Sequence, residues 1–253
     1  MNQSRKLKWI RFTLGACLLL AVVIVGLFIY LDAKTYKPSE AARLAMEGNA
    51  QVQVTQIKHG YKFEPVSAEV LEPNVVFYPG GLVEPEGYAP FARQLAGLGH
   101  RVYLTKMPLN LALFVQNRAE AFLAEHPGES YVIGGHSLGG VFAARYAAEH
   151  SDQLAGVFFL ASYADTAGSL KDVNLSALQI TASQDGVLNQ EAWAESKAHL
   201  PENTLYISIE GGNHGQFGSY GMQKGDQVPA LTEAEQLEQV ILAMENWIQG
   251  LKL

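Results

Sequence analysis

The sequence predicts an α/β protein with a mostly parallel central sheet, helices on both of its faces, and one transmembrane helix ahead of it. Three observations predict this. Twenty consecutive residues, Phe12 to Leu31 (FTLGACLLLAVVIVGLFIYL), carry no charge. From Asn74 onward, six short runs rich in Val, Ile, Leu and Phe are continuous rather than alternating, the pattern of strands buried on both faces. Segments of helical spacing separate most of these runs, and strands that alternate with helices fold as a parallel sheet covered on both sides.

Residues 1–11 form a basic flank containing Arg5, Lys6, Lys8 and Arg11. As a helix, the apolar residues 12–31 span about 30 Å, the thickness of a bilayer core. Asp32, Lys34 and Lys37 follow, a weaker positive flank, so the N-terminal side is expected in the cytoplasm and the body beyond the cell membrane. A cleaved signal peptide would have a shorter apolar core and a small-x-small site, for which Leu31-Asp32-Ala33 is a poor candidate. Leu14-Gly15-Ala16-Cys17 looks like a lipobox. However, it lies too close to Arg11, and the apolar run continues well past Cys17. An uncleaved single-pass anchor is the expectation.

Residues 32–49 read as a stem and a short helix. In "SEAARLAMEG", Ser39 caps, Glu40 stands in the first turn and Gly48 stops. The main domain runs from 50 to 253. It opens with "VQVTQI" and "YKFEPV", two alternating runs around His59-Gly60 that suggest a hairpin. Next come the strand "NVVFY", the helix "PEGYAPFARQLAGLG", the strand "RVYLT" and a stretch from Leu109 to His126 that reads as mostly helical. The strands "YVIGG", "LAGVFFLA", "ALQITA" and "TLYISI" follow, with helices over Leu138 to His150 and Gln190 to His199. "LTEAEQLEQVILAMENWIQG" closes the chain as an amphipathic helix.

With 48% hydrophobic and 17% charged residues, the chain can bury a sizeable core. Cys17 is its only cysteine, which excludes an intrachain disulfide. All 25 acidic residues but only 14 of the 18 basic ones follow the apolar run, giving the body a formal charge of −11. Such a surface repels nucleic acid, which is excluded as a partner. The sequence assigns no oligomeric state.

In "VIGGHSLGGVFAARYA", Ser137 stands between Gly135 and Gly139 where a strand gives way to a helix. A nucleophile there sits on a turn so tight that side chains two positions away would collide, and glycine relieves the crowding. A serine hydroxyl needs a base. Among the seven histidines, His214 stands out, in the glycine-rich "GGNHGQFGSYG" after a strand. His59, His100, His126, His150 and His199 fall in turns or at helix ends, where a solvated surface role is usual, and His136 is expected to pack behind the nucleophile. The base in turn needs an acid. Asp185, in "SQDGV" after the penultimate strand, is favoured by placement and by the chain order nucleophile, acid, base. Asp165, in "SYADTA", competes with it. The Asp-Gly pair is equally the composition of a surface turn.

An attacked carbonyl becomes an oxyanion that requires preorganised N–H donors. Leu138, the residue after the nucleophile, offers one. The loop Pro79-Gly80-Gly81-Leu82 offers a second, with Gly81 first and Leu82 as the alternative.

From about residue 50 to the C-terminus the chain resembles the α/β-hydrolase family, and within it the small members near dienelactone hydrolase and simple esterases. The resemblance rests on "FYPGG" as oxyanion loop, "GGHSLGG" as nucleophile elbow, "TASQDGV" as acid loop and "GGNHGQFG" as histidine loop. It implies Ser137, Asp185 and His214 as a triad. The oxyanion loop departs from the His-Gly of many relatives. The nucleophile is serine where dienelactone hydrolases use cysteine, so that activity is not carried over.

The expected reaction is ester hydrolysis, or transfer of a related acyl group, through a seryl ester of a small-molecule substrate, with no metal or other cofactor. Only about 15 residues, Ser162 to Ser176, follow the strand ending near Ala161, too few for a lid domain. This predicts an open site that takes a small or flexible ester. Two other readings stand beside it: a non-catalytic binding domain that kept the fold, and acyl transfer to an alcohol or peroxide.

Overall fold

The computed structural model describes residues 3–66 and 69–251. Met1 and Asn2 of the basic flank, and Lys252 and Leu253 at the end of the main domain, lie outside the described residues. So do the side chains of Arg5, Lys6, Lys8 and Arg11. The chain divides into two units, Met1–Thr35 and Tyr36–Leu253.

The first unit is one helix, α1 (Gln3–Lys34). Its part from Phe12 to Lys34 is long and apolar enough to cross a membrane, and the large apolar side chains along it are exposed. No proline interrupts it, and the hydroxyls of Thr13 and Thr35 turn back to donate to the carbonyls of Trp9 and Leu31. The helix runs three residues past Leu31, where the sequence ended the span.

The second unit begins with α2 (Glu40–Met46), whose N-terminus is capped by Ser39 Oγ accepting the Ala42 N–H. Strands β1 (Val52–Ile57) and β2 (Gly60–Pro65) form the expected hairpin. They are followed by β3 (Leu71–Tyr78), α3 (Ala89–Gly97), β4 (His100–Thr105), the single turn α4 (Glu120–Leu123), β5 (Tyr131–His136) and α5 (Leu138–Glu149). The chain ends with β6 (Gly156–Leu160), β7 (Ser176–Ala182), α6 (Gln190–Ser196), β8 (Leu205–Ile209) and α7 (Glu233–Gln249). These elements form one eight-stranded sheet in the order β1-β2-β4-β3-β5-β6-β7-β8. The pairs β1–β2 and β2–β4 are antiparallel and the rest parallel.

Successive residues of the central strands point to opposite faces, so each strand feeds two cores. Val75, Phe77, Val132 and Phe158 pack with Phe91 and Leu95 of α3 and Trp247 of α7. Their neighbours Val76, Ile133 and Phe159 pack on the other face with Phe122 of α4 and with Phe142 and Tyr146 of α5. Helices on both faces explain why these strands read as unbroken apolar runs. The closing helix α7 carries a capping box, in which Thr232 Oγ1 accepts the Glu235 N–H and the Glu235 carboxylate accepts the Thr232 N–H.

The stretch from Leu109 to His126 departs from the sequence reading. It forms short 3-10 turns over Pro108–Asn110 and Ala112–Phe114, and only α4 is helical. Leu109 and Asn110 both hold φ at 54°, which no helix continues through. The segment's backbone groups find partners elsewhere. The Asn110 carbonyl accepts the Leu82 N–H, and the Tyr78 hydroxyl accepts from Ala119 N–H and donates to the Gln116 carbonyl.

Residues 36–39 are a strap. Tyr36 pairs with Val83 in an isolated parallel bridge, its N–H donating to the Leu82 carbonyl and its own carbonyl accepting the Glu84 N–H. Its hydroxyl accepts the Lys224 N–H, and its ring lies 5.5 Å from that of Tyr220. Ser39 N–H donates to the Ser219 carbonyl. Between β6 and β7 the chain forms only a 3-10 turn, Thr166–Gly168, in keeping with the short connection read from the sequence.

Candidate active site

In the sheet order, β3 has β4 on one side and β5 on the other, so the chain switches direction across β3. Ligand sites of open parallel sheets lie at such a point, outside the carboxyl ends of the strands. The loop after β3 carries Pro79-Gly80-Gly81-Leu82, and Ser137 follows β5 directly.

Ser137 adopts φ 50° and ψ −126°, a conformation that costs a non-glycine residue roughly 1–3 kcal/mol. The surroundings enforce it. Its N–H donates to the Leu160 carbonyl, and its own carbonyl accepts both the Gly140 N–H and the Ser162 hydroxyl, the latter at 2.6 Å. Ser162 is fixed in turn, since Gln179 Nε2 donates to its carbonyl. A Cβ on Gly135 would lie 2.3 Å from the Tyr78 carbonyl oxygen, and one on Gly139 2.1 Å from the same atom. Only glycine lets the elbow approach the end of β3 this closely. The Ser137 side chain itself is half-buried at the start of α5, where N–H groups lack intrahelical partners and favour negative charge.

His214 and Asp185 are brought together from loops 29 residues apart. His214 Nδ1 lies 2.8 Å from Asp185 Oδ2, with the two side chains 1% and 0% exposed. Asp185 Oδ1 accepts the N–H groups of Val187 and Leu188 at 2.8 and 2.7 Å, which aims its other oxygen at the imidazole. His214 Nε2 is buried without a hydrogen-bond partner. The His214 ring lies 4.5 Å from that of His136, the residue before Ser137.

The competing acid, Asp165, is engaged elsewhere. It forms a two-pronged pair with Arg145, at 2.5 Å from Nη2, and accepts the Gly168 N–H. Burial pushes its carboxyl up, but the hydrogen bonds and charge of Arg145 outweigh that and leave it below its usual value.

His136 packs where the sequence placed it, fully buried, with its ring stacked on Phe217. Burial, and then the neighbouring His214, hold its imidazole well below the usual range and so neutral. His100 differs from its reading as a surface residue. It lies on β4, is 2% exposed, and its Nδ1 is 3.0 Å from the Pro73 carbonyl oxygen. Its Nε2 faces the Glu245 carboxylate of α7 at 3.5 Å.

Within the glycine loop, Gly80 N–H donates to the Tyr88 hydroxyl and Leu82 N–H to the Asn110 carbonyl. Gly81 stands between them, facing Leu138: a Cβ placed on it would touch Leu138 Cδ2 at 3.0 Å.

Three residues of this region were not singled out from the sequence. Ser162 supports the elbow, Tyr88 contacts the glycine loop and His136, and Asp226 accepts N–H groups from Gly186, His214 and Gly215. Each of the three bonds to main-chain groups, Tyr88 to the His136 ring as well, which leaves no spacing to read. A carboxylate in the glycine-rich "GMQKGDQ" just beyond the histidine loop is the one available signal.

Residues 74–238 match the model of the alpha/beta hydrolase family. No curated protein matches the chain. Similar solved structures include a dienelactone hydrolase from Anabaena variabilis, 15% identical with a TM-score of 0.60, covering 80% of this chain and 100% of that one. A membrane phospholipase A described as a bacterial virulence factor is 14% identical with a TM-score of 0.59, covering 94% and 98%. An esterase from Mycobacterium tuberculosis is 14% identical with a TM-score of 0.54, covering 81% and 95%. At these identities the likeness is one of fold.

Proposed function

The chain belongs to the alpha/beta hydrolase family, and from that premise we propose that it is a membrane-anchored serine hydrolase that cleaves a carboxylic ester. The observation that carries this reading is the buried 2.8 Å contact between His214 Nδ1 and Asp185 Oδ2, with Nε2 unpartnered beside the elbow of Ser137. An aspartate at Nδ1 fixes the tautomer in which Nε2 accepts a proton, and it stabilises the imidazolium that results.

Ser137 Oγ attacks the ester carbonyl carbon while its proton passes to His214 Nε2. The carbonyl oxygen gains the negative charge and accepts hydrogen bonds from the N–H groups of Leu138 and Gly81. Gly81 is assigned over Leu82 because the Leu82 N–H already donates to Asn110. Collapse breaks the bond to the alcohol oxygen, which takes the proton from His214. Water then repeats the sequence on the acyl-serine, giving the acid and free Ser137. The short β6–β7 connection supports an open site for a small or flexible ester.

The exposed, largely apolar segment Phe12–Lys34 is assigned as a single-pass anchor, and the basic flank supports an extracytoplasmic side for the hydrolase body. Labelling of the full-length protein with a serine-reactive fluorophosphonate tests the chemistry. The adduct is expected on the peptide containing Ser137 and absent from Ser137→Ala. Folded protein that takes no label would overturn the assignment.

A further inference from the structure

We propose that Asp226 is a positioning residue that clamps the loop carrying Asp185 to the loop carrying His214. This rests on the reading of Asp185 and His214 as the acid and base. Asp226 lies outside both "TASQDGV" and "GGNHGQFG", yet its carboxylate receives main-chain N–H groups from both loops. Oδ1 accepts from Gly186 at 3.1 Å and from His214 at 3.3 Å, and Oδ2 accepts from Gly215 at 2.8 Å. Gly186 is the residue after Asp185, and Gly215 is the residue after His214. One side chain therefore grips the backbone immediately beside each member of the pair.

A second observation supports the clamp independently. A Cβ on Gly186 would lie 2.5 Å from the Gly225 carbonyl oxygen and 3.2 Å from Asp226 Cα. The segment 225–227 thus presses directly on the acid loop, at a distance that only glycine permits. The Asp-Gly pair, whose composition alone suits a surface turn, has its glycine for this approach. Asp226 Oδ1 also accepts the Gln227 N–H, which sets the carboxylate's own orientation.

The hydrogen bond between Asp185 and His214 spans two loops that leave different strands, β7 and β8. Holding it to a few tenths of an ångström needs a tie between those loops, and misplacing a reacting group by about 1 Å costs on the order of 100-fold in rate. Asp226 touches no reacting atom, so its removal acts on turnover more than on ester binding.

The test uses the full-length enzyme and an ester substrate. Asp226→Ala is expected to lower kcat about 10- to 100-fold while KM stays within about threefold. Asp226→Asn keeps one acceptor oxygen but presents an N–H₂ group to the Gly215 N–H, and kcat is expected to fall between the wild-type and alanine values. A kcat for Asp226→Ala within about twofold of wild type overturns the clamp. If the alanine variant does not fold, Asp226→Asn decides, and a kcat within about twofold of wild type overturns it. Ser137→Ala, measured alongside, separates the two levels: activity surviving in that variant sinks the proposed chemistry, whatever Asp226 does.

Discussion

The Tyr88 hydroxyl lies 2.8 Å from His136 Nδ1 and simultaneously accepts the Gly80 N–H at 3.0 Å. The phenol oxygen accepts from Gly80 with one lone pair, and the proton between it and Nδ1 belongs to whichever of the two the imidazole tautomer dictates. One phenol thereby joins the glycine loop after β3 to the residue before Ser137. Tyr88→Phe strands two buried polar groups. It should cost about 1–3 kcal/mol for each group left unsatisfied, read as a lower urea midpoint at unchanged slope. It should also lower kcat, because the loop that carries Gly81 loses its tie. An unchanged midpoint would remove Tyr88 from this role.

The neutrality of His136 makes stability depend on pH. Its folded-state pKa lies below the unfolded value of 6.5, chiefly through burial and then through His214. Its contribution is therefore fully present above pH 6.5 and is lost as pH falls from there toward the depressed folded value. The loss approaches about 1.4 kcal/mol per pH unit for one proton. Urea unfolding should give nearly the same stability at pH 7.5 and 6.5 and a falling one at pH 5.5 and 5.0, and His136→Asn should flatten that fall. Equal slopes in both proteins would refute the assignment.

Asp185→Asn and Asp165→Asn should differ sharply. The first removes the acceptor that fixes the His214 tautomer, and kcat should fall by about 10⁴. The second breaks the pair with Arg145, whose side chains are 29% and 30% exposed, so stability should change by about 1 kcal/mol or less with activity retained. Ester turnover by the two variants checks this, and the reverse ranking would move the acid role to Asp165.

Gly139→Ala tests the elbow. Its Cβ would lie 2.1 Å from the Tyr78 carbonyl oxygen and 2.3 Å from that of Pro79, both main-chain atoms that cannot swing away. A loss of about 3 kcal/mol or more is expected, beyond the usual range for overpacking by one methyl group. A wild-type urea midpoint would show that the strand end can retreat.

Much of this architecture is legible in the amino-acid order because burial on two faces leaves a mark on every residue of a strand. Val75 and Val76 feed opposite cores, and so do Phe158 and Phe159, which is why their runs contain no polar alternation. The elbow is legible for a different reason: Gly135 meets the backbone of Gly139 and Gly140, which leaves a local glycine spacing to read, although both Gly135 and Gly139 also answer to the Tyr78 carbonyl at the end of β3. The segment after β4 was misread because apolar spacing carries no information about φ at Leu109 and Asn110. Tyr88, Ser162 and Asp226 were not legible at all. Each serves backbone groups in another turn or loop, and neither hydrophobicity nor periodicity records such a bond. Placement in the chain favours Asp185 as the partner of His214, whereas nothing in the sequence points to the pair between Asp165 and Arg145.

The strap at residues 36–39 has a practical consequence for where the polypeptide can be severed. The sequence reading starts the main domain at residue 50, but Tyr36 and Ser39 are already stitched to the segments 82–84 and 219–224 that flank the candidate site. A shortened, detergent-free enzyme should therefore begin at or before Tyr36. On the proposed reading, a protease that nicked the chain just after Ser39 would free a body stripped of that seam, impaired as well as released from the membrane.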